Sequence, residues 1–369
     1  MATFEFDFEI DPRIAFAETL PSRCYCSQEV YHLEQDRIFA SSWQLVGRLA
    51  SLPSPGSFFT ATVAGEPLLL LRSLEGTVRA FYNLCRHRAG PLVIGSGQCE
   101  RLRCGYHGWT YDLNGRLIGV PDFEGVANFC PNDNGLEEVE VGIWESFLFV
   151  RLLPVGPNLP DLLEEIPRRM SPSRIGEMEW VARRDYVIEC NWKVYVDNYV
   201  EGYHIPIVHP SLLLEIDYSR YRTLPARYAS LQDAPIRTGS EAGGSYLPTS
   251  NQSEMLYYWI FPNLMLNLHP DNLSTNLILP LGPTRTLTIF EWYAHDPDRE
   301  GFRDRVEEIV QVSDQIQQED IRICEAVQQR LGSRAYQRGR YSPRRENGLH
   351  HFHQLWSEWM RRPEGGEEQ

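Results

Sequence analysis

Long apolar runs are missing from this chain of 369 residues. None approaches the roughly 20 residues a membrane-spanning helix needs. The best, Pro67-Leu68-Leu69-Leu70-Leu71, has the length of a strand. Positive charge is scarce: 35 Lys plus Arg stand against 50 Asp plus Glu, a formal net charge of −15. Nucleic acid and anionic lipid both select for clusters of Lys and Arg, so neither nucleic acid nor a membrane is an expected partner. Eight cysteines are too dilute for a disulfide scaffold, and in a reducing compartment they serve as ligands or core residues. Met1 to Arg13 lacks the basic-then-apolar order of a signal peptide, so a cytoplasmic protein is expected. There is no fixed-period repeat, no low-complexity tract and no dinucleotide fingerprint of the G-x-G-x-x-G kind.

What is present is ample core: 42% hydrophobic and 12% aromatic residues in a length that suits about two domains. Residues 1 to 43 read as a leader, helix-like near Ser27 to Ala40. From 44 to 153 short apolar runs alternate with Gly, Pro and Asn. Val63 to Arg72, Val78 to Tyr82 and Trp144 to Leu152 read as strands. Asn114-Gly115 between Trp109–Leu113 and Arg116–Val120 predicts a hairpin closed by a type I′ turn. Pro154-Val155-Gly156-Pro157-Asn158-Leu159-Pro160 reads as a linker. The part from 154 to 369 is mixed. It holds a helix over Asn191 to Tyr203, strands at Leu256–Phe261, Leu264–Leu268, Asn276–Pro280 and Thr286–Tyr293, and a long helix from Glu300 to Leu331. An antiparallel sheet with helices against it makes the fold α+β. The tail from Arg362 to Gln369 is expected to fray.

Two pairs of potential ligands lie in the β-rich part: Cys85-Arg86-His87 and Cys104-Gly105-Tyr106-His107. A zinc knuckle would more typically pair Cys with Cys, though a Cys₂His₂ zinc site stays open. Two Cys on one iron and two His on the other is the Rieske arrangement of a [2Fe-2S] cluster. Gly90, Pro91, Gly105 and Gly108 would let backbone approach the sulfides, and Tyr106 and Trp109 would shield them.

A second set lies on the helix ending in Glu201-Gly202-Tyr203-His204. Asp197, Glu201 and His204 are spaced i, i+4, i+7 and would share one helix face. Pro206 disfavours further helix and biases Ile205 towards extended geometry, so His209 on the following loop can converge with His204. Two imidazoles and one carboxylate form the facial triad of oxygen-activating iron(II). On the long helix, Ile309, Ile316, Ile323, Val327 and Leu331 fall within about 60° of Asp320, and Glu319 lies about 100° off that stripe. An acid on an apolar face needs a partner, a metal or an Arg. His350, His351 and His353 read as surface residues or as residues behind a site. Cys24, Cys26, Cys99, Cys130, Cys190 and Cys324 read as packing thiols.

Cys85-Arg86-His87-Arg88 with Cys104-Gly105-Tyr106-His107-Gly108-Trp109-Thr110-Tyr111 closely resembles the Rieske domain of Rieske non-haem iron oxygenase catalytic (alpha) subunits. Tyr203-His204 through His209 resembles the family's Tyr-His-x₄-His motif. The resemblance implies a Rieske domain over 44–153 and a helix-grip (START-like) catalytic domain over 154–369, with the leader packed on the latter. It implies that His204, His209 and Asp320 hold mononuclear Fe(II), and that Glu201 bridges electrons from a neighbouring subunit's cluster in a homotrimer. Asp197 becomes a candidate behind the ligands. Aromatic-ring dioxygenases of the family carry Asp at the bridging position, whereas members acting on trimethylammonium compounds show Glu. Phe261–Asn267, Asn276–Pro283 and Gly339–Pro343 also resemble the choline monooxygenase and carnitine oxygenase branch. Electrons would come from NAD(P)H through a separate reductase (flavin/iron-sulfur).

The expected function is therefore hydroxylation of a quaternary or methylated amine with O₂, by N-dealkylation or C-hydroxylation. The alternative is hydroxylation of an aromatic ring. Tyr203, Tyr258, Trp259, Phe261, Trp292 and Tyr293 are candidates for an aromatic cage around the cation. Two other classes compete: an electron-transfer protein whose larger domain docks partners, and a colourless zinc-stabilised binding protein.

Overall fold

The computed structural model describes residues 8–235, 255–269, 272–298 and 302–362. The chain divides into two compact units, residues 39–156 and, together, 8–38 with 157–362.

The first unit is all-β. Seven strands run in the order β1-β10-β9-β4-β3-β2-β5: β1 (Gln44–Arg48), β2 (Ser57–Val63), β3 (Glu66–Arg72), β4 (Val78–Tyr82), β5 (Ser96–Gln98), β9 (Glu138–Trp144) and β10 (Phe147–Arg151). A separate sheet joins β6 (Leu102–Arg103), β7 (Thr110–Tyr111) and β8 (Leu117–Gly119). The leucine run explains why β3 is an interior strand. Leu68 and Leu70 face one apolar cluster with Val139, Leu148 and Val150, while Leu69 and Leu71 face another with Trp109 and Tyr111. Period-two alternation thus buries both sides of the strand. Two expected strands prove to be turns and strands together. Val63–Arg72 is broken at Ala64-Gly65, and Trp144–Leu152 at Glu145, where left-handed residues close hairpins.

The Asn114-Gly115 turn also differs from expectation. Only Gly115 has positive φ, at 83°. Gly115 N–H donates to Asp112 carbonyl, and Asp112 Oδ1 accepts from Asn114 and Arg116 N–H. This is a type I turn followed by a left-handed Gly, the three-residue hairpin loop, selected because the Asp112 carboxylate caps it.

The second unit is α+β. Its sheet runs β11-β17-β16-β15-β14-β13-β12, with every neighbouring pair antiparallel. The strands are β11 (Glu179–Ile188), β12 (Arg222–Pro225), β13 (Ala229–Asp233), β14 (Leu256–Ile260), β15 (Leu264–Leu268), β16 (Asn272–Gly282) and β17 (Arg285–Ala294). The helices are α1 (Gln28–Glu34), α2 (Leu159–Leu163), α3 (Ile166–Met170), α4 (Trp192–Tyr199), α5 (Ile205–Val208), α6 (Pro210–Glu215), α7 (Phe302–Leu331) and α8 (Asn347–Met360). Glu300, the expected start of α7, and 363–369 of the expected frayed tail lie outside the described residues. None of the described helices is long and apolar enough to cross a membrane.

Helix α7 is fastened to its unit by polar groups as well as by part of the predicted apolar stripe, of which Ile309 and Leu331 are buried. Ile323 and Val327 are each 40% exposed, and the buried face runs through Val310, Gln317, Cys324 and Gln328. Gln317 accepts from Tyr195 Oη at 2.6 Å, Gln328 from Asn191 N–H at 2.8 Å, and Asp314 from Tyr186 Oη at 2.9 Å. A hydrophobicity pattern cannot see amides that are buried because they are satisfied.

Lys193, the only lysine of the sequence, is fully buried on α4. Its Nζ donates to Glu34 of α1 at 2.5 Å, and both side chains are 0% exposed. Glu34 also accepts Trp192 Nε1 at 2.9 Å and Trp356 Nε1 at 2.7 Å. The rings of Tyr25, Trp192 and Trp356 surround the ammonium at 5.3 to 5.5 Å. One buried ion pair thus joins leader, α4 and α8. Removing one member strands the other charge, so Lys193→Met should cost about 3–5 kcal/mol in urea unfolding. Lys193→Met with Glu34→Gln should recover part of that loss; a cost below about 1 kcal/mol for the single variant would contradict the burial.

Candidate functional site

In the all-β unit the two ligand loops share one backbone pattern. Cys85 N–H donates to Gly90 carbonyl while Cys85 carbonyl accepts from Ala89; Cys104 N–H donates to Trp109 carbonyl while Cys104 carbonyl accepts from Gly108. The fourth residue after each Cys is left-handed, Ala89 at φ 55° and Gly108 at 75°. Each loop therefore curls back on its cysteine. Both sulfurs sit in the core, and the rings of His87 and His107 meet at 4.6 Å. His87 stacks on buried Trp109 at 4.9 Å, and its Nδ1 is buried with no hydrogen-bond partner. A Cβ on Gly90 would come within 3.0 Å of Cys104 Sγ, so the backbone there must approach the thiolate bare. Trp109 shields this corner; Tyr106 is 58% exposed and lies against His107 instead.

The second set sits around α5. The expected helix over Asn191–Tyr203 stops at Tyr199, after an Asn191 cap whose side chain accepts from Lys193 N–H. Glu201 and His204 therefore lie beyond α4 rather than on its face. Beyond the helix, at Gly202, a Cβ would strike the Tyr221 ring, so the chain passes close against it. Glu201 then caps the turn, accepting from the N–H groups of Tyr203 and His204. Pro206 does not extend Ile205: both belong to the single-turn helix α5, flanked by His204 and His209. A proline in a first turn loses no helical hydrogen bond.

His204, His209 and Asp320 bring one donor atom each within 4.8 Å of the others, the one such group found among the described residues. His209 Nε2 lies 2.9 Å and His204 Nε2 3.9 Å from Asp320 Oδ1. Each outer nitrogen meets a glutamate: His204 Nδ1 at 2.5 Å from Glu201 Oε1, His209 Nδ1 at 2.7 Å from Glu319 Oε2. Asn198 Nδ2 donates to Asp320 Oδ1 at 2.6 Å. Among the described residues the ion-pair partners of Asp320 are these two histidines, not an Arg. Burial pushes the His209 imidazole down, but Asp320 and Glu319 outweigh it and raise it. Two imidazoles and the Asp320 carboxylate, with a glutamate behind each imidazole, fit a divalent cation.

Asp197 is built into a buried chain: its carboxylate accepts from Tyr25 Oη at 2.7 Å and meets His353 Nε2 at 2.9 Å, while His353 Nδ1 meets Tyr341 Oη at 2.6 Å. His350 and His353 are thus interior residues of α8, not surface ones.

A cavity of about 160 Å³ opens beside the triad. Tyr199, Tyr221, Tyr257, Phe290, Gln232 and Asn267 are among the residues lining it. The predicted cage is displaced. Tyr258, Trp259, Phe261, Trp292 and Tyr293 are buried but absent from this lining, and Tyr203 lines a separate outward cleft. Trp259 shares a strand face with Tyr257 yet lies farther along β14, where it packs on Phe261 and on Phe352 of α8. Face could be read from alternation, but depth along the strand could not.

The protein-family comparison matches residues 175–362 to the ring hydroxylating alpha subunit (catalytic domain) and residues 42–130 to the Rieske [2Fe-2S] domain. The chain belongs to the Rieske ring-hydroxylating oxygenase alpha subunits. The chloroplastic choline monooxygenase of Arabidopsis thaliana is 33% identical to this alpha subunit over 361 residues, 94% of this chain and 84% of the relative. The carnitine monooxygenase oxygenase subunit of Acinetobacter pittii is 29% identical, over 89% of each. A quaternary ammonium Rieske monooxygenase in complex with L-carnitine superposes with a TM-score of 0.82 at 27% identity, covering 95% of this chain and 97% of that one.

As a Rieske oxygenase alpha subunit, the protein is an oxidoreductase that uses O₂, with a [2Fe-2S] domain and a His-His-Asp mononuclear iron site. When bound, the cluster supplies single electrons and the iron supplies oxygen activation. The bare Nδ1 of His87 and the clustered triad fit those groups. Tyr111 is poised to tune the first of them. Its Oη accepts from Arg86 N–H at 3.0 Å and faces Cys85 Sγ at 3.4 Å, and burial holds the phenol protonated. A hydrogen bond to a cluster sulfur favours the reduced state. Tyr111→Phe should lower the midpoint potential by tens of millivolts, the equivalent of about 1 kcal/mol, in a redox titration, with the cluster retained.

Proposed function

We propose that this chain hydroxylates a small quaternary or methylated ammonium compound, giving C-hydroxylation or, after collapse of a hemiaminal, N-dealkylation. The balance is RH + O₂ + 2e⁻ + 2H⁺ → ROH + H₂O, with electrons delivered from NAD(P)H by a separate reductase. Cys85, His87, Cys104 and His107 would hold the cluster. One observation carries the substrate class. The cavity beside the triad combines the carboxylates of Glu201 and Asp320 with the tyrosines Tyr199, Tyr221 and Tyr257. Aromatic faces attract a cation that has no N–H to donate. Tyr199 Oη gives its proton to Asn267 Oδ1 at 2.5 Å and Tyr221 Oη to Gln232 Oε1, so neither hydrogen is turned to the cavity. An aromatic carboxylate would gain nothing from those tyrosine faces. Relatives support the reading: their names include choline, carnitine and glycine betaine monooxygenases.

Glu201 lines both this cavity and the outward cleft, where it is joined by Tyr203, His204, Ile207 and Arg345. That double exposure supports a role for Glu201 in connecting His204 with an electron donor arriving from outside. We assign that donor as the cluster of a second copy in a homotrimer.

The test is a single turnover of chemically reduced protein under ¹⁸O₂ with mixed methylammonium compounds and aromatic acids, read by mass spectrometry. Incorporation of ¹⁸O into a methylammonium compound is expected; its appearance in an aromatic acid instead would return the chain to ring hydroxylation. For the compound consumed, Tyr257→Leu should raise KM about 2–30-fold, the range of a cation–π contact of about 0.5–2 kcal/mol. Trp259→Phe should lower thermal stability and leave KM in place.

A further inference from the structure

We infer that Glu319 is a positioning residue for the mononuclear iron, acting through His209. Glu319 and Asp320 are consecutive on α7 and grip opposite nitrogens of one imidazole, at 2.7 Å on Nδ1 and 2.9 Å on Nε2. His209 is 2% exposed, so its ring is held by these two carboxylates rather than by bulk solvent. A carboxylate at Nδ1 fixes the proton there and leaves the Nε2 lone pair on the side of Asp320 and His204. Glu319 is itself steadied, because Gln315 Nε2 donates to its Oε1 at 3.3 Å.

The two glutamates behind the histidines are not equivalent. Glu201 spends one oxygen on backbone N–H groups and lines both cavities. Glu319 is absent from the lining of either cavity and touches His209 alone of the three ligands. Glu201 therefore has access to substrate and electron donor, whereas Glu319 can act only by setting the tautomer, direction and basicity of His209. Such outer partners are typically worth about 10–100-fold in metal affinity. Helix α7 would then supply one ligand and orient another from adjacent positions, so rotation of α7 would disturb both together.

The inference rests on the iron site and is tested on the full chain with its cluster in place. Ferrous iron is withdrawn by a chromogenic chelator from wild type, Glu319→Gln and Glu319→Leu, alongside thermal midpoints, the visible spectrum of the cluster and the electron paramagnetic resonance of the nitric oxide adduct of the mononuclear iron. Glu319→Leu should bind iron about 10–100-fold more weakly, with the cluster spectrum unchanged. Glu319→Gln, which keeps an acceptor for Nδ1–H and loses the charge, should fall between and show an altered nitrosyl signal. Wild-type affinity in Glu319→Leu, or loss that follows the thermal midpoint equally in both variants, would overturn the role. If Glu319→Leu does not fold, an unchanged nitrosyl signal and affinity in Glu319→Gln would overturn it. Failure of wild type to hold ferrous iron would refute the iron site itself, a result distinct from either.

Discussion

Negative charge gathered around two imidazoles is the constraint on which the catalytic unit depends. Glu201, Glu319 and Asp320 converge on His204 and His209, and among the described residues the ion pairs of Asp320 involve only those histidines. Without a cation this arrangement opposes itself, and with one every carboxylate has a task. Much nearby structure serves to hold it. The single turn of α5 presents a histidine at each end. Gly202 lets the chain turn against Tyr221, and Gly348 brings α8 against the Val200 carbonyl. The hydrogen bonds of Gln317 and Gln328 set the position of α7, and so of Asp320.

The all-β unit solves a different problem: bringing two sulfurs and two imidazoles together at the margin of a core. It repeats one backbone curl at Cys85 and Cys104, and the left-handed residue that each curl requires is a Gly in one loop and an Ala in the other. The sulfurs sink among apolar side chains while His107 remains exposed. With a cluster held there, the sulfur side would be shielded from water and the His107 side would face solvent.

The two donor clusters were legible because metal chemistry restricts both residue type and spacing. Cys-x-His with Cys-x₂-His, and two histidines five apart, leave few other uses. Asp320 was found although part of the reasoning failed: Ile323 and Val327 are solvent-facing, and the buried face of the helix includes the amides Gln317 and Gln328 beside apolar residues. The same pattern dismissed Glu319, because angle along one helix says nothing of what approaches from the next. The cavity wall was harder still. Tyr257 and Trp259 look alike in sequence and share a face, and only the position of α8 over β14 makes one core and the other wall. Asp197 was singled out, but its partners Tyr25 and His353 come from distant segments that no local spacing connects to it.

The burial of Lys193 reaches beyond its ion pair. Thirty-four arginines and one lysine supply the positive charge of this chain, and that lysine is closed off by Glu34 and three aromatic rings. The folded surface consequently offers no lysine amine to acylating reagents, crosslinkers or conjugating enzymes. Covalent capture of the Lys193 amine would register opening of the unit that carries the iron ligands, residue by residue a reporter of unfolding that the sequence supplies without any label.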